Sequence, residues 1–123
     1  MNVSLTYKNP GNNISIIKCP TTVRGKLVIP DMIDELTVTE IGEGAFRDCD
    51  GLTDVTIPNS VKSIGYAAFS GCSGLTRVIL PDGDVSIGEY AFSGCFGLKT
   101  VIVSKTTTIG DKSFSYMTDV IRK

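Results

Sequence analysis

The sequence predicts a short β-rich solenoid: coils of 23 residues stacked on one another, opened by an N-terminal β-hairpin cap, with little helix. Three observations carry this. Phe46, Phe69, Phe92 and Phe114 recur at spacings of 23, 23 and 22 residues. An Ile-Gly pair precedes each of them, at Ile41-Gly42, Ile64-Gly65, Ile87-Gly88 and Ile109-Gly110. Behind the first three run further columns: Cys49, Cys72, Cys95, then Leu52, Leu75, Leu98, then Val55, Val78, Val101, then Ile57, Leu80, Val103. Self-similarity at such a period marks a solenoid, in which one repeat cannot bury its apolar face alone and its neighbours complete the core.

Residues 1–26 read as the cap and 27–123 as the repeat array. Val3, Leu5 and Tyr7, then Ile14, Ile16 and Ile17, alternate as two short strands. Asn9-Pro10-Gly11-Asn12-Asn13 between them is dense in turn formers. A cap is needed because an open end exposes both core and unpaired strand edge. Leu27-Val28-Ile29-Pro30 then matches Val55-Thr56-Ile57-Pro58 and Val78-Ile79-Leu80-Pro81, making it the strand of an incomplete first coil. Ile29 lies nine residues before Val38, whereas Ile57 lies four before Val61, so five extra residues bulge out within Met32 to Leu36.

Within a repeat, Leu52, Val55 and Ile57 point inward from the first-wall strand, and Pro58 ends it because proline cannot donate into a ladder. Val61 to Ile64 reads as a second, weaker strand on the opposite wall. Gly65 allows a tight corner, and Tyr66-Ala67-Ala68-Phe69 is one helical turn at most before a glycine-rich stretch. Neighbouring coils are expected about 4.8 Å apart. The array then decays. The second-wall position of Val38 and Val61 falls on Asp84, with Val85 one place late, and then on Thr106. The last coil carries Met117 and Val120 in the cysteine and leucine columns and stops before its strand.

Composition narrows the chemistry. The 123 residues carry a net charge of −1, against a nucleic-acid binder that needs a basic face. The segment from Asp31 to Asp54 holds eight carboxylates and one cation, Arg47, and reads as a solvated face of the first coil. No apolar run is long enough to span a bilayer, so membrane insertion is not expected. Met1 to Lys8 lacks a basic region followed by an apolar stretch, so no signal peptide is read there. Histidine is absent, which removes Ser-His and Cys-His nucleophile pairs, imidazole ligands and the usual neutral-pH proton shuttle. Gly42-Glu43-Gly44 lacks the glycine spacing and the long helix of a phosphate-binding loop. No catalytic residue, cofactor or metal site is expected.

The cysteines form a file spaced 23 apart, which does not converge on a point as metal ligands must. They read as small buried thiols, and Cys19 alone stands outside the file. The phenylalanines read as a core stack. Phe96 belongs to no column; exposed, it favours a binding role.

These residues, Ile-Gly-x-x-Ala-Phe-x-x-Cys-x-x-Leu-x-x-Val-x-Ile-Pro-x-x-Val, are similar to the BspA-type leucine-rich repeat. The lead-in, Cys19, Gly25-Lys26-Leu27-Val28-Ile29-Pro30 and Val38-Thr39-Glu40-Ile41-Gly42, resembles the segment that opens such arrays. The resemblance runs from about Ile14 to the end. It implies a short, curved, right-handed leucine-rich-repeat coil stack of the kind found mostly in bacterial and protist surface or secreted proteins. There it mediates adhesion and protein binding, with no family-wide catalytic residue.

The expected function is therefore a non-catalytic interaction or adhesion module that binds a protein or peptide on its concave strand face. Outward residues of the first-wall strands form an apolar ridge, Val28, Thr56, Ile79 and Ile102. Beside it runs a charge-bearing row, Lys26, Asp54, Arg77 and Thr100. Asp54 and Arg77 fall as neighbours of opposite sign, and Phe96 joins the candidates as the unexplained aromatic. The other reading is structural: a repeat unit that self-associates through its C-terminal coil or stacks on further repeats. An ordinary sheet face of β-branched residues would look the same along the ridge.

Overall fold

In a computed structural model that describes residues 5–9 and 11–123, the chain forms a β-solenoid of about five turns. Val3 and Pro10, read above as part of the first strand and its turn, lie outside the described residues, as does the Met1–Ser4 start. Among the described residues, twelve strands lie on two walls. They are β1 (Thr6–Lys8), β2 (Asn13–Lys18), β3 (Gly25–Val28), β4 (Met32–Ile33), β5 (Leu36–Ile41) and β6 (Leu52–Thr56). Then come β7 (Ser63–Ile64), β8 (Arg77–Ile79), β9 (Ser86–Ile87), β10 (Thr100–Val103), β11 (Thr108–Ile109) and β12 (Asp119–Arg122). No helix occurs among the described residues.

The second wall is one sheet in the order β1-β2-β5-β7-β9-β11. β1 runs antiparallel to β2 with a bulge between Thr6 and Tyr7, and from β2 onward the wall is parallel. The expected hairpin forms, and its inner strand is also the first second-wall strand: Ile14 lies opposite Val38 and Ile16 opposite Ile41. The five-residue insertion is a tight hairpin in which β4 folds antiparallel onto β5. Its two-residue turn, Asp34-Glu35, takes positive φ at both positions (51° and 68°), as a turn that matches strand twist requires. Ile33 and Leu36 pack against the core edge, which accounts for the apolar content of the insertion. The Tyr7 hydroxyl donates to the Asp34 carboxylate, tying this hairpin to β1.

Between the walls, the side chains stack by column. Phe46, Phe69 and Phe92 are fully buried, and Phe114 continues the file half-buried. Ring centroids are 4.7, 5.0 and 5.1 Å apart with planes within 8°, 1° and 2° of parallel. The coil pitch sets that spacing. Because carbon contacts are optimal at about 3.5–4.0 Å, parallel rings this far apart touch by slipping sideways, which is also the electrostatically preferred offset.

The corners differ from expectation in two ways. Gly65 and Gly88 do not serve by positive φ; they serve because the coils nearly touch there. A Cβ on Gly88 would sit 2.8 Å from the Gly65 carbonyl carbon and the Tyr66 nitrogen, and one on Gly65 2.8 Å from the Glu43 nitrogen. The next segment is no helical turn. Gly44, Ala67, Tyr90 and Lys112 hold one column position at φ of 61°, 53°, 60° and 53°, and this left-handed residue stops a helix from starting. A chain of tight turns follows, with Ala68 N–H on the Gly65 carbonyl, Ser70 on Ala67 and Cys72 on Phe69.

The last coil also departs from the 23-residue count. It does not stop before its strand: β12 lies parallel to β10, with Val101 opposite Val120 and Ile102 opposite Ile121, nineteen residues on. Arg122 falls opposite Val103, and its guanidinium donates to the carbonyls of Ser104, Lys105 and Thr107 at 3.3, 3.2 and 2.9 Å, closing the loop above it. On the second wall the inward places go to Val85 and Thr107; Asp84 and Thr106 are exposed. Thr107 is 4% exposed and its Oγ1 has no hydrogen-bond partner.

Two outcomes follow for stability. Gly88→Ala is expected to destabilise by about 1–3 kcal/mol because backbone must move apart, whereas Gly83→Ala, with nothing within 4 Å of the added carbon, leaves the urea midpoint in place. Thr107→Val fills the same volume without an orphaned hydroxyl and is expected to stabilise by about 1 kcal/mol; an unchanged or lower midpoint would show that the hydroxyl is satisfied.

Candidate binding face

The first wall presents the ridge that the period-two alternation predicts. β3, β6 and β8 form one parallel sheet with Lys26 opposite Asp54, Val28 opposite Thr56, Asp54 opposite Arg77 and Thr56 opposite Ile79. Val28 is 70% exposed, Ile79 44% and Ile102 54%, with Thr56 half-buried among them. β12 extends the file by Ile121, 48% exposed opposite Ile102. Counting by 23 misses Ile121, because the last coil is shorter, and Asp119-Val120-Ile121-Arg122 carries no period-two alternation that would mark it.

The outward row of the second wall is chemically different. Ser15, Glu40, Ser63, Ser86 and Thr108 stand side by side in register. Ser15 and Ser63 donate to Glu40 at 2.6 and 3.5 Å, so the N-terminal part of this row is internally bonded. Strand propensity alone would place β-branched apolar residues on both outer faces. On the second wall Ile17 stands alone; they form a file along the first wall only.

Two grooves open on that face. One, of ≈ 260 Å³, is lined by Lys26, Val28, Asp54, Thr56, Arg77 and Ile79. The other, of ≈ 480 Å³, lies between β8 and β10 and is lined by Arg77, Ile79, Leu80, Thr100 and Ile102, with Asp82 and Lys123 at one end. The second groove coincides with a seam. β8 and β10 share no ladder: the wall is a three-stranded sheet, β3-β6-β8, and a two-stranded one, β10-β12. The Ile29 and Ile57 amides donate one coil onward, to Thr56 and Ile79, at 3.0 and 2.9 Å, but Leu80 has no such bond to Ile102. Val78 and Leu80, at 8% and 7% exposure, are correspondingly less covered than Val55 and Ile57 at 1% and 2%.

Charge is arranged around Arg77. Asp54 and Arg77 are register neighbours as expected, but they do not close an ion pair; among the described residues the pair within 4.0 Å is Lys123–Asp82, at 3.1 Å. Arg77 therefore borders both grooves with no carboxylate in contact. Phe96 is 56% exposed in the corner before β10 and lines neither groove, so the structure does not bring it together with the ridge.

The cysteine corner is core. Cys19, Cys49, Cys72 and Cys95 are buried free thiols. The Phe46 carbonyl accepts from the Cys49 amide at 3.2 Å and from Cys72 Sγ at 3.1 Å. The Phe69 carbonyl likewise accepts from the Cys72 amide at 3.3 Å and from Cys95 Sγ at 3.2 Å. Each thiol thus stitches its coil to the one before. Cys19 is no outlier: its amide donates to Ala45 at 2.8 Å, as Phe46, Phe69 and Phe92 donate to Ala68, Ala91 and Ser113 at 2.7, 2.7 and 2.6 Å, so it takes the phenylalanine place of the first coil. The adjoining Cys95 thiol and burial push the Cys72 pKa up, and the adjoining Cys49 thiol and burial do the same to Cys19. No group of three or more His, Cys, Asp or Glu side chains is placed to hold a metal among the described residues.

With a two-walled coil of this period and this core, the comparisons fall into place. The family model for the BspA type leucine rich repeat region matches residues 27–122, in six copies, and the chain belongs to that family. No curated protein sequence matches it. Among solved structures it is similar to the T. pallidum leucine rich repeat protein, with a TM-score of 0.83 and 31% identity, covering 97% of this chain and 62% of that one. It is similar too to a leucine-rich repeat protein from Bacteroides capillosus ATCC 29799, with a TM-score of 0.81 and 31% identity over 91% of this chain and 88% of that one. A leucine rich cell surface protein from Faecalibacterium prausnitzii A2-165 gives a TM-score of 0.69 and 25% identity over 98% and 40%. This chain thus spans 62% of the length of the T. pallidum protein. The family is in general one of protein-interaction and adhesion modules.

The buried thiols generate a pH dependence. The raised pKa of Cys19 and Cys72 keeps these two protonated in the native state, whereas the adjoining thiol lowers Cys49 and Cys95. The stability that Cys19 and Cys72 contribute is full below about pH 8.5, where an unfolded thiol ionises, and falls above it. Urea melts at rising pH are expected to lose up to about 1.4 kcal/mol per pH unit for each such thiol. A Cys19→Ala, Cys72→Ala variant flattens the slope. An identical slope in that variant would remove the thiols as its cause.

Proposed function

We propose that this chain is a non-catalytic binding module that docks a protein or peptide across its first wall, on the ridge Val28, Thr56, Ile79 and Ile102 and the row Lys26, Asp54, Arg77 and Thr100. The observation that carries the reading is the asymmetry of the two walls. Apolar side chains unneeded by the core line up on the first wall beside two grooves, while the register row Ser15, Glu40, Ser63, Ser86 and Thr108 of the second wall is polar, with Ser15 and Ser63 bonded to Glu40. A continuous face of this kind is how repeat proteins bind. Adhesion at a bacterial surface or outside the cell agrees with the family and with the structural neighbour named as a cell surface protein. The second reading, self-association through the C-terminal coil, draws on β12: Val120 and Ile121 are 39% and 48% exposed, Met117 46%, and the strand is paired on one side only, with β10, among the described residues.

An Ile79→Asp, Ile102→Asp double variant is expected to keep the parent's melting behaviour, because both side chains already face water, while losing partner capture by at least about tenfold in affinity. Sedimentation of the same variant separates the two readings, since self-association through β12 survives these changes. Equal partner capture by variant and parent would reduce the ridge to strand surface and turn attention to the corner of Phe96.

A further inference from the structure

The first-wall reading leaves open what kind of segment the face takes, and the seam between β8 and β10 supplies the chemistry. Arg77 stands on the groove with no carboxylate within 4.0 Å, while Lys123, the other cation lining it, is already engaged by Asp82. Arg77 and Ile79 are two apart on β8, so both face outward, roughly 6.6–6.8 Å from each other along the strand. Ile102 faces Ile79 across the groove. An extended peptide has the same two-residue repeat between side chains on one face. β8 and β10 share no ladder there, and the Leu80 amide lacks the bond that Ile57 makes.

We propose, resting on the first-wall reading, that the seam groove recognises an extended peptide carrying an acidic residue two positions from an apolar one. The carboxylate pairs with the Arg77 guanidinium and the apolar side chain sits between Ile79 and Ile102. Arg77 selects the charge, since a guanidinium offers a bidentate fork to a carboxylate and repels lysine. The two isoleucines select the apolar residue. An extended ligand matches the two-residue spacing of Arg77 and Ile79, which a helical one does not. The other groove shares Arg77 but sets Asp54 beside it, which makes it the poorer site for an acid.

The test titrates the full chain with three capped peptides, followed by amide chemical shifts: Ser-Glu-Ser-Leu-Ser, Ser-Lys-Ser-Leu-Ser and Ser-Glu-Ser-Ser-Ser. The Glu/Leu peptide is expected to bind at roughly millimolar or better, with shifts centred on β8 and β10, and the other two at least about tenfold more weakly. Arg77→Ala abolishes the preference for Glu over Lys, and rising salt weakens the Glu/Leu peptide alone. If the Glu/Leu and Lys/Leu peptides bind equally and Ile79→Asp removes both, the acid preference is wrong while the ridge stands. If they bind and Ile79→Asp changes nothing, the ridge is wrong as well. Failure of every peptide to shift the seam amides overturns the proposal outright.

Discussion

The distance between hydrogen-bonded strands governs this molecule. Parallel ladders fix neighbouring coils near 4.8 Å, and every column must be something that repeats at that interval. Flat rings do, slipped against one another at 4.7 to 5.1 Å. A thiol does, because its reach matches the carbonyl of the coil before it. A side chain on the residue after the conserved-looking isoleucine does not, which leaves glycine at Gly42, Gly65, Gly88 and Gly110. The same spacing admits the left-handed residue of each corner even where it is Ala67 or Tyr90, at a backbone cost on the order of 1 kcal/mol each that packing must offset.

Most of this order was legible before any coordinates. A period of 23 residues gives the coil, and alternation within it tells Val55 and Ile57 from Thr56, so Ile79 and Ile102 could be placed on the outer face. What escaped did so for specific reasons. Cys19 stands in a phenylalanine place, but no residue-type match reveals it; only its amide, bonded to Ala45, does. Ile121 and Thr107 were missed because a deletion and a shortened last coil shift the register on which the count depends. The seam was invisible in principle: β6, β8 and β10 carry nearly the same pattern, and whether adjacent backbones close a ladder is a matter of tenths of an ångström. The unclosed pair of Asp54 and Arg77 belongs to the same class, since adjacency in register does not fix where two flexible side chains point.

The division of labour between the walls follows from what each can spare. The second wall keeps an unbroken ladder from β1 to β11, and Ser15 and Ser63 of its outer row bond to Glu40. It is the spine. The first wall is interrupted, its exposed outer residues are largely apolar or charged, and its larger groove lies where the ladder fails.

The seam has a second consequence, for how the molecule comes apart. In a solenoid each coil is coupled only to its neighbours, so stability behaves as a linear chain of links. Between the coils of β8 and β10 the second wall and the ring stack still hold, but the first-wall ladder contributes nothing. That link is the weak one. The array is then two cooperative blocks sharing a hinge line: the hairpin end through β8, and a smaller block of β10 to β12 sealed by Arg122. Thermal fluctuation would part them there first, widening the groove for a moment without melting either side.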